Sequence, residues 1–86
     1  MDAHKILGNA LSALERAETA WREARRSEFA RGAGGFEAAS AAKRETAHVK
    51  RAYDRAHKAA SAAIDACSIV GVCPADVGYP QYGGRW

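Results

Sequence analysis

Six basic side chains between positions 43 and 58 are the residues of this sequence most suited to chemistry. We call them the basic face: Lys43, Arg44, Lys50, Arg51, Arg55 and Lys58. Ammonium and guanidinium groups at this density suit a row of phosphates or an acidic protein surface. The alternative is a solvated helix face on which Lys50, Asp54 and Lys58 neutralise one another at i,i+4 spacing.

The C-terminal residues form a second group with chemical potential. We call this group the aromatic tail: Tyr79, Tyr82, Arg85 and Trp86. Tyr, Trp and Arg are enriched in the hot spots of protein interfaces, and aromatic rings also stack on nucleic-acid bases. The alternative is a structural flap that covers an Ala-rich core lacking bulk of its own.

Two cysteines lie six positions apart, across the predicted end of a helix. A Cys67–Cys73 disulfide is feasible if the chain reverses at Gly71, whereas a reducing compartment favours two free thiols. His4 and His57 would complete a set of four N and S ligands for zinc, but the spacing matches no compact ligand motif. We therefore predict no metal site and no cofactor.

The sequence contains no pattern typical of catalysis. No Ser or Cys stands in a nucleophile elbow, and no pair of carboxylates has a reason to be desolvated. The glycines of positions 32–35 lie between two helical segments, without the strand and the Lys that a phosphate-binding loop requires. We expect a protein that is not an enzyme.

The first helix is predicted from a heptad pattern, in which apolar residues follow one another at alternate steps of four and three. The pattern is carried by Ala3, Leu7, Ala10, Leu14, Ala17, Trp21 and Ala24. It predicts a helix over about residues 2–31, with Asp2 as N-cap and Gly32 just after the last turn. Glu18 and Arg22 have the spacing of a favourable i,i+4 ion pair.

The second helix is predicted over residues 36–70, a stretch without Gly or Pro that Gly71 and Pro74 end. The Gly-rich hinge 32–35 is short, so the two helices should be antiparallel neighbours. This register places Glu45 near Trp21, where it would pair with Arg22 or Arg25.

The fold class is therefore all-α: a long antiparallel helical hairpin over residues 1–71. Residues 72–86 contain Pro, Gly and aromatic residues, which predict an irregular C-terminal segment. This segment should pack either on the hairpin or on a partner.

The composition indicates a weak core, because Ala supplies 21 of the 86 residues and buries little apolar area. We expect the chain to complete its core against a protein partner, a second copy of itself, or both. Charged residues interrupt the N-terminal apolar positions, and no segment approaches the roughly 18 apolar residues of a membrane span. These features predict a cytoplasmic protein without membrane contact.

The functional hypothesis is a small protein-binding module, an adaptor or inhibitor of a larger complex. Its size and composition suit a phage or mobile-element protein that blocks host nucleic-acid-handling machinery. The alternative is a nucleic-acid-binding protein that uses the basic face of the second helix. Such binding would be non-specific, because two antiparallel helices match neither a helix-turn-helix nor a paired basic region.

Overall fold

The computed structural model describes residues 2–83 and forms a helical hairpin. Helix α1 spans Ala3–Arg31 and helix α2 spans Phe36–Ser68, with a 3₁₀ turn at Gly32–Gly34 between them. Two more 3₁₀ turns, Pro74–Val77 and Pro80–Tyr82, lie in the C-terminal segment, and the described residues contain no strand. The predicted all-α hairpin with an irregular C-terminal segment is confirmed. The chain measures 52 × 18 × 18 Å, which is a rod two helices wide.

Helix α1 begins after Asp2 and ends at Arg31, as predicted, whereas the turn that follows it differs from the prediction. The Asp2 side chain caps the helix, because its Oδ1 accepts a hydrogen bond from the backbone N–H of His4 at 3.0 Å. Gly32 keeps a right-handed φ of −60° and leads into the 3₁₀ turn. The chain reverses instead at Gly35, whose φ of 110° suits a residue without Cβ.

Helix α2 ends in a Schellman motif, which turns the chain back toward the hairpin. The helix stops at Ser68, two residues before the predicted end, and Gly71 adopts the left-handed region with φ 80°. The N–H of Val72 donates to the carbonyl of Cys67 at 3.0 Å, and that of Gly71 to Ser68 at 3.1 Å. This geometry places Val72 against Cys67 in the core.

The core lies at the open end of the hairpin, away from the hinge. Its buried members are Leu7, Leu11, Leu14, Ala60, Cys67 and Val72, and the three leucines are 0% exposed. The C-terminal segment adds Val77, Tyr79 and Tyr82, which pack against this cluster from outside the two helices. The segment therefore acts as a third layer over α1 and α2 and supplies the bulk that alanines lack.

The half of the hairpin near the hinge, residues 21–53, buries fewer residues between its two helices. Ala42 is buried there, and the Thr46 hydroxyl donates to the carbonyls of Ala42 and Ala24, at 2.9 and 3.4 Å. Glu45 pairs with Arg31 at 2.6 Å rather than with Arg22 or Arg25 as predicted. We call residues 21–53 the hinge half and the rest of the described chain the open half. In the described residues, neither helix is long and apolar enough for a membrane span.

Candidate interaction surfaces

The basic face lies on the side of α2 that points away from α1. Five of its six members are exposed, and none of the five forms an ion pair within the described residues: Lys43, Arg44, Arg51, Arg55 and Lys58. At 1.5 Å per residue they extend along about 22 Å of helix. The opposite side of α2 carries Ala42 and Ala60, which are buried against α1. The hairpin therefore leaves these cations to solvent or to a binding partner.

Lys50 belongs to a different environment from the other five cations. Its Nζ lies 2.5 Å from Asp54 Oδ1 and 5.2 Å from the centre of the Trp21 ring, a cation–π distance. Trp21 in turn stacks on Tyr53, with ring centroids 4.9 Å apart. This cluster joins α1 to α2 at the boundary of the two halves, so Lys50 stabilises the hairpin.

The described part of the aromatic tail folds onto the hairpin. Tyr79 and Tyr82 are half-buried, stack at 6.1 Å and pack against the leucine core. The Tyr82 hydroxyl donates to Glu18 Oε2 at 3.2 Å. Burial and the Glu18 charge raise the pKa of Tyr82 to about 12. The flap interpretation accounts for both tyrosines, whereas Arg85 and Trp86 lie outside the described residues.

Both cysteines are free thiols with separate partners. Cys67 is buried and its Sγ lies 3.5 Å from the carbonyl oxygen of Ala3. Cys73 is exposed, and its backbone N–H and thiol both donate to the Asp76 carboxylate, at 2.9 and 3.2 Å. These two hydrogen bonds lower the pKa of Asp76 and cap the first turn of the C-terminal segment. Across residues 2–83, His, Cys, Asp and Glu side chains nowhere gather in a group that could hold a metal.

Two phenyl rings near the hinge are the surface residues that sequence reasoning missed. Phe29 is 90% exposed near the end of α1, and Phe36 is 85% exposed at the first position of α2. They are the two phenylalanines of a chain that has few large apolar residues. The signal was available, because Phe29 falls off the heptad seam and Phe36 borders the glycine hinge.

A groove on α1 brings arginines together with one of these rings. Arg22, Arg25, Arg26, Glu28 and Phe29 line an open depression of about 460 Å³, which we call the arginine groove. The predicted helix over residues 2–31 carries six basic and five acidic residues, so its summed charge gave no indication of this cluster. A smaller depression of about 170 Å³ adjoins it, lined by Glu18, Trp21, Arg22, Arg25 and Tyr53.

By its fold and surfaces, this chain is a two-helix hairpin with its own core at one end and exposed aromatic and basic groups toward the other. Comparison with protein-family models, with curated proteins and with solved structures finds no match.

Proposed function

We propose that this protein is a small non-enzymatic module that binds another protein with its hinge half. The observation that carries the proposal is the exposure of Phe29 and Phe36, at 90% and 85%. Exposed apolar side chains rimmed by polar groups are typical of protein-binding surfaces. Arg25 and Trp21, residue types enriched in interface hot spots, lie on the same half of the hairpin.

The hinge half is also the half that lacks a third layer. At the open end, the C-terminal segment covers both helices and completes a core around Leu7, Leu11 and Leu14. A partner that docked on the hinge half would cover its apolar surface in the same way. An adaptor or an inhibitor of a larger complex would work by such docking, and a phage or mobile-element origin stays an expectation from size and composition.

The proposal is tested by removing the two phenyl rings and leaving an equally exposed pair at the other end as control. The test variant is Phe29→Ser with Phe36→Ser. The control is Ile69→Ser with Val70→Ser, because these side chains are 85% and 65% exposed at the open end. Each protein is used as bait in an extract of its native host, and a partner found by mass spectrometry is purified for affinity measurement.

We expect the hinge variant to weaken the affinity for that partner more than tenfold, as the loss of hot-spot residues does. The control variant should bind within about twofold of the native chain, because Ile69 and Val70 lie at the open end, away from the proposed binding half. Equal affinities of native and hinge-variant protein would contradict the proposal, as would a loss confined to the open-end variant.

The second candidate function, non-specific nucleic-acid binding, is favoured by the five exposed cations of the basic face. Contact with five phosphates of duplex DNA would give a log–log salt slope of about −4.5. Arg51→Glu with Arg55→Glu should abolish such binding, while Lys5→Glu with Arg16→Glu, an equal charge change on α1, should not. A shallow salt slope, or equal losses in both variants, would remove this candidate.

A further inference from the structure

The arginine groove has a charge pattern that its own helix does not neutralise. Arg22, Arg25 and Arg26 are exposed and form no ion pair with any carboxylate of residues 2–83. Their spacing, with Phe29 one turn further, puts them on one stripe of α1. The groove thus presents three guanidinium groups beside a phenyl ring that is 90% exposed.

Arg22 does not form the ion pair with Glu18 that the sequence predicts. Glu18 stands four residues before Arg22, where an i,i+4 ion pair is expected. In the structure the Glu18 carboxylate instead accepts the Tyr82 hydroxyl at 3.2 Å. Glu18 also lines the smaller depression that adjoins the arginine groove. The strip of hairpin covered by the C-terminal segment therefore continues directly into the uncovered arginine stripe.

We infer that the arginine groove binds an acidic peptide segment of a protein partner, an inference that rests on the proposed function. Carboxylates of the segment pair with Arg22 and Arg26, because guanidinium groups bind carboxylates through two parallel hydrogen bonds. An aliphatic or aromatic side chain of the same segment packs on Phe29. The partner is thus defined by acidic residues adjacent to an apolar one.

The ring environment favours a peptide over single-stranded nucleic acid. Stacking of successive bases needs several accessible ring faces along a basic channel. The Trp21 ring already contacts Tyr53 at 4.9 Å, Arg25 at 5.3 Å and Lys50 at 5.2 Å. Phe29 is the one aromatic residue that lines the groove, so the groove offers a single ring rather than a row of stacking faces.

The experiment uses the full chain and a short fluorescent peptide of repeated Glu-Glu-Leu, with binding followed by anisotropy. A peptide with Gln in place of Glu, a peptide with Ser in place of Leu and an oligothymidylate serve as comparison probes. The test variants are Arg22→Gln with Arg26→Gln, and Phe29→Ser. The control, Arg51→Gln with Arg55→Gln, removes the same charge from the basic face.

We expect saturable binding of the Glu-Glu-Leu peptide that weakens at least tenfold in the Arg22→Gln, Arg26→Gln variant, as for lost charge-assisted hydrogen bonds. Phe29→Ser and the Ser-containing peptide should each weaken binding severalfold, and the Gln-containing peptide should not bind. The basic-face control should bind within about twofold of the native chain.

Three results would overturn the inference: no peptide binding by the native chain, equal losses in the groove and control variants, or tighter binding of oligothymidylate through the same arginines. If the inference fails while partner binding still depends on Phe29 and Phe36, the proposed function stands with a partner of other chemistry. If the hinge variant keeps its partner, the proposed function fails whatever the peptides do.

Discussion

The same two helices form both ends of this hairpin, but the two ends differ in how far their apolar side chains are buried. At the open end, Leu7, Leu11 and Leu14 are 0% exposed beneath the C-terminal segment. At the hinge end, Phe29 and Phe36 are 90% and 85% exposed. The phenylalanines thus lie in solvent at the hinge end, whereas the leucines are buried at the open end, where Ile69 and Val70 are the exposed apolar residues.

The difference shows that a two-helix seam of small residues can bury only small residues. Burial of larger side chains needs another layer, since helices bury an apolar stripe only against a further element. Residues 72–83 provide that layer at the open end and reach Glu18 through Tyr82. Beyond this point nothing in the described chain covers the hairpin, so a binding surface is expected in the hinge half.

The largest expected effect is a difference in the free energy of unfolding between substitutions at the two ends. Leu11→Ala removes a fully buried side chain and should lower the free energy of unfolding by about 3–4 kcal/mol, through lost burial and the cavity it leaves. Phe29→Ala removes a larger side chain but should change the free energy of unfolding by less than about 0.5 kcal/mol, because Phe29 is exposed. Urea titration followed by far-ultraviolet circular dichroism measures both.

The control for this comparison is Leu11→Met, which keeps the volume of the side chain and should cost less than about 1.5 kcal/mol. Similar losses for Leu11→Ala and Phe29→Ala would mean that both ends contribute equally to stability. The contrast between a core end and a binding end would then be lost.

A smaller effect is expected from the hydrogen bond between Tyr82 and Glu18, at the edge of the surface that the C-terminal segment covers. Tyr82→Phe leaves the ring in place and removes the hydroxyl that donates to Glu18, so it should cost about 1 kcal/mol at neutral pH. The contribution should depend on pH, because the pKa of Tyr82 rises from 10.0 to about 12 on folding. The unfolded chain then loses this proton first as the pH increases.

The stability difference between native chain and Tyr82→Phe should therefore be constant below pH 10 and should shrink as the pH rises toward about 12. Denaturation of both proteins at matched pH values measures it. A difference that stays constant across this range would exclude a Tyr82–Glu18 contribution.

Most of the fold was predictable from periodicity and turn residues. The heptad steps through Leu7 and Leu14, the Asp2 cap and the left-handed Gly71 all occur as expected. The pairing of Glu45 was wrong, because the position of an exposed carboxylate depends on the exact hinge geometry. Gly32 follows the last turn of α1 as predicted, and the 3₁₀ turn after it, with the positive φ of Gly35, was not foreseen.

The surfaces were less predictable than the fold. The basic face and the Lys50–Asp54 pair could be located by helical spacing, but the contact of Lys50 with Trp21 on the other helix could not. The arginine groove was missed because a summed charge does not show which side chains share one face of a helix. The Tyr82–Glu18 hydrogen bond beside it could not be predicted either, because it joins residues 64 positions apart.

The smallest expected effect tests whether Lys50 differs from the other members of the basic face. Lys50→Met keeps the aliphatic stem but removes the charge that contacts Asp54 and Trp21, so it should cost about 0.5–1 kcal/mol of unfolding free energy. Arg51→Met, its exposed neighbour, should change stability by less than about 0.5 kcal/mol. Urea titration resolves the difference if the two variants are measured in parallel. Equal effects would mean that Lys50 does not differ from the other five residues of the basic face. The Trp21–Tyr53 stack would then be the one contact of this cluster that joins the two helices.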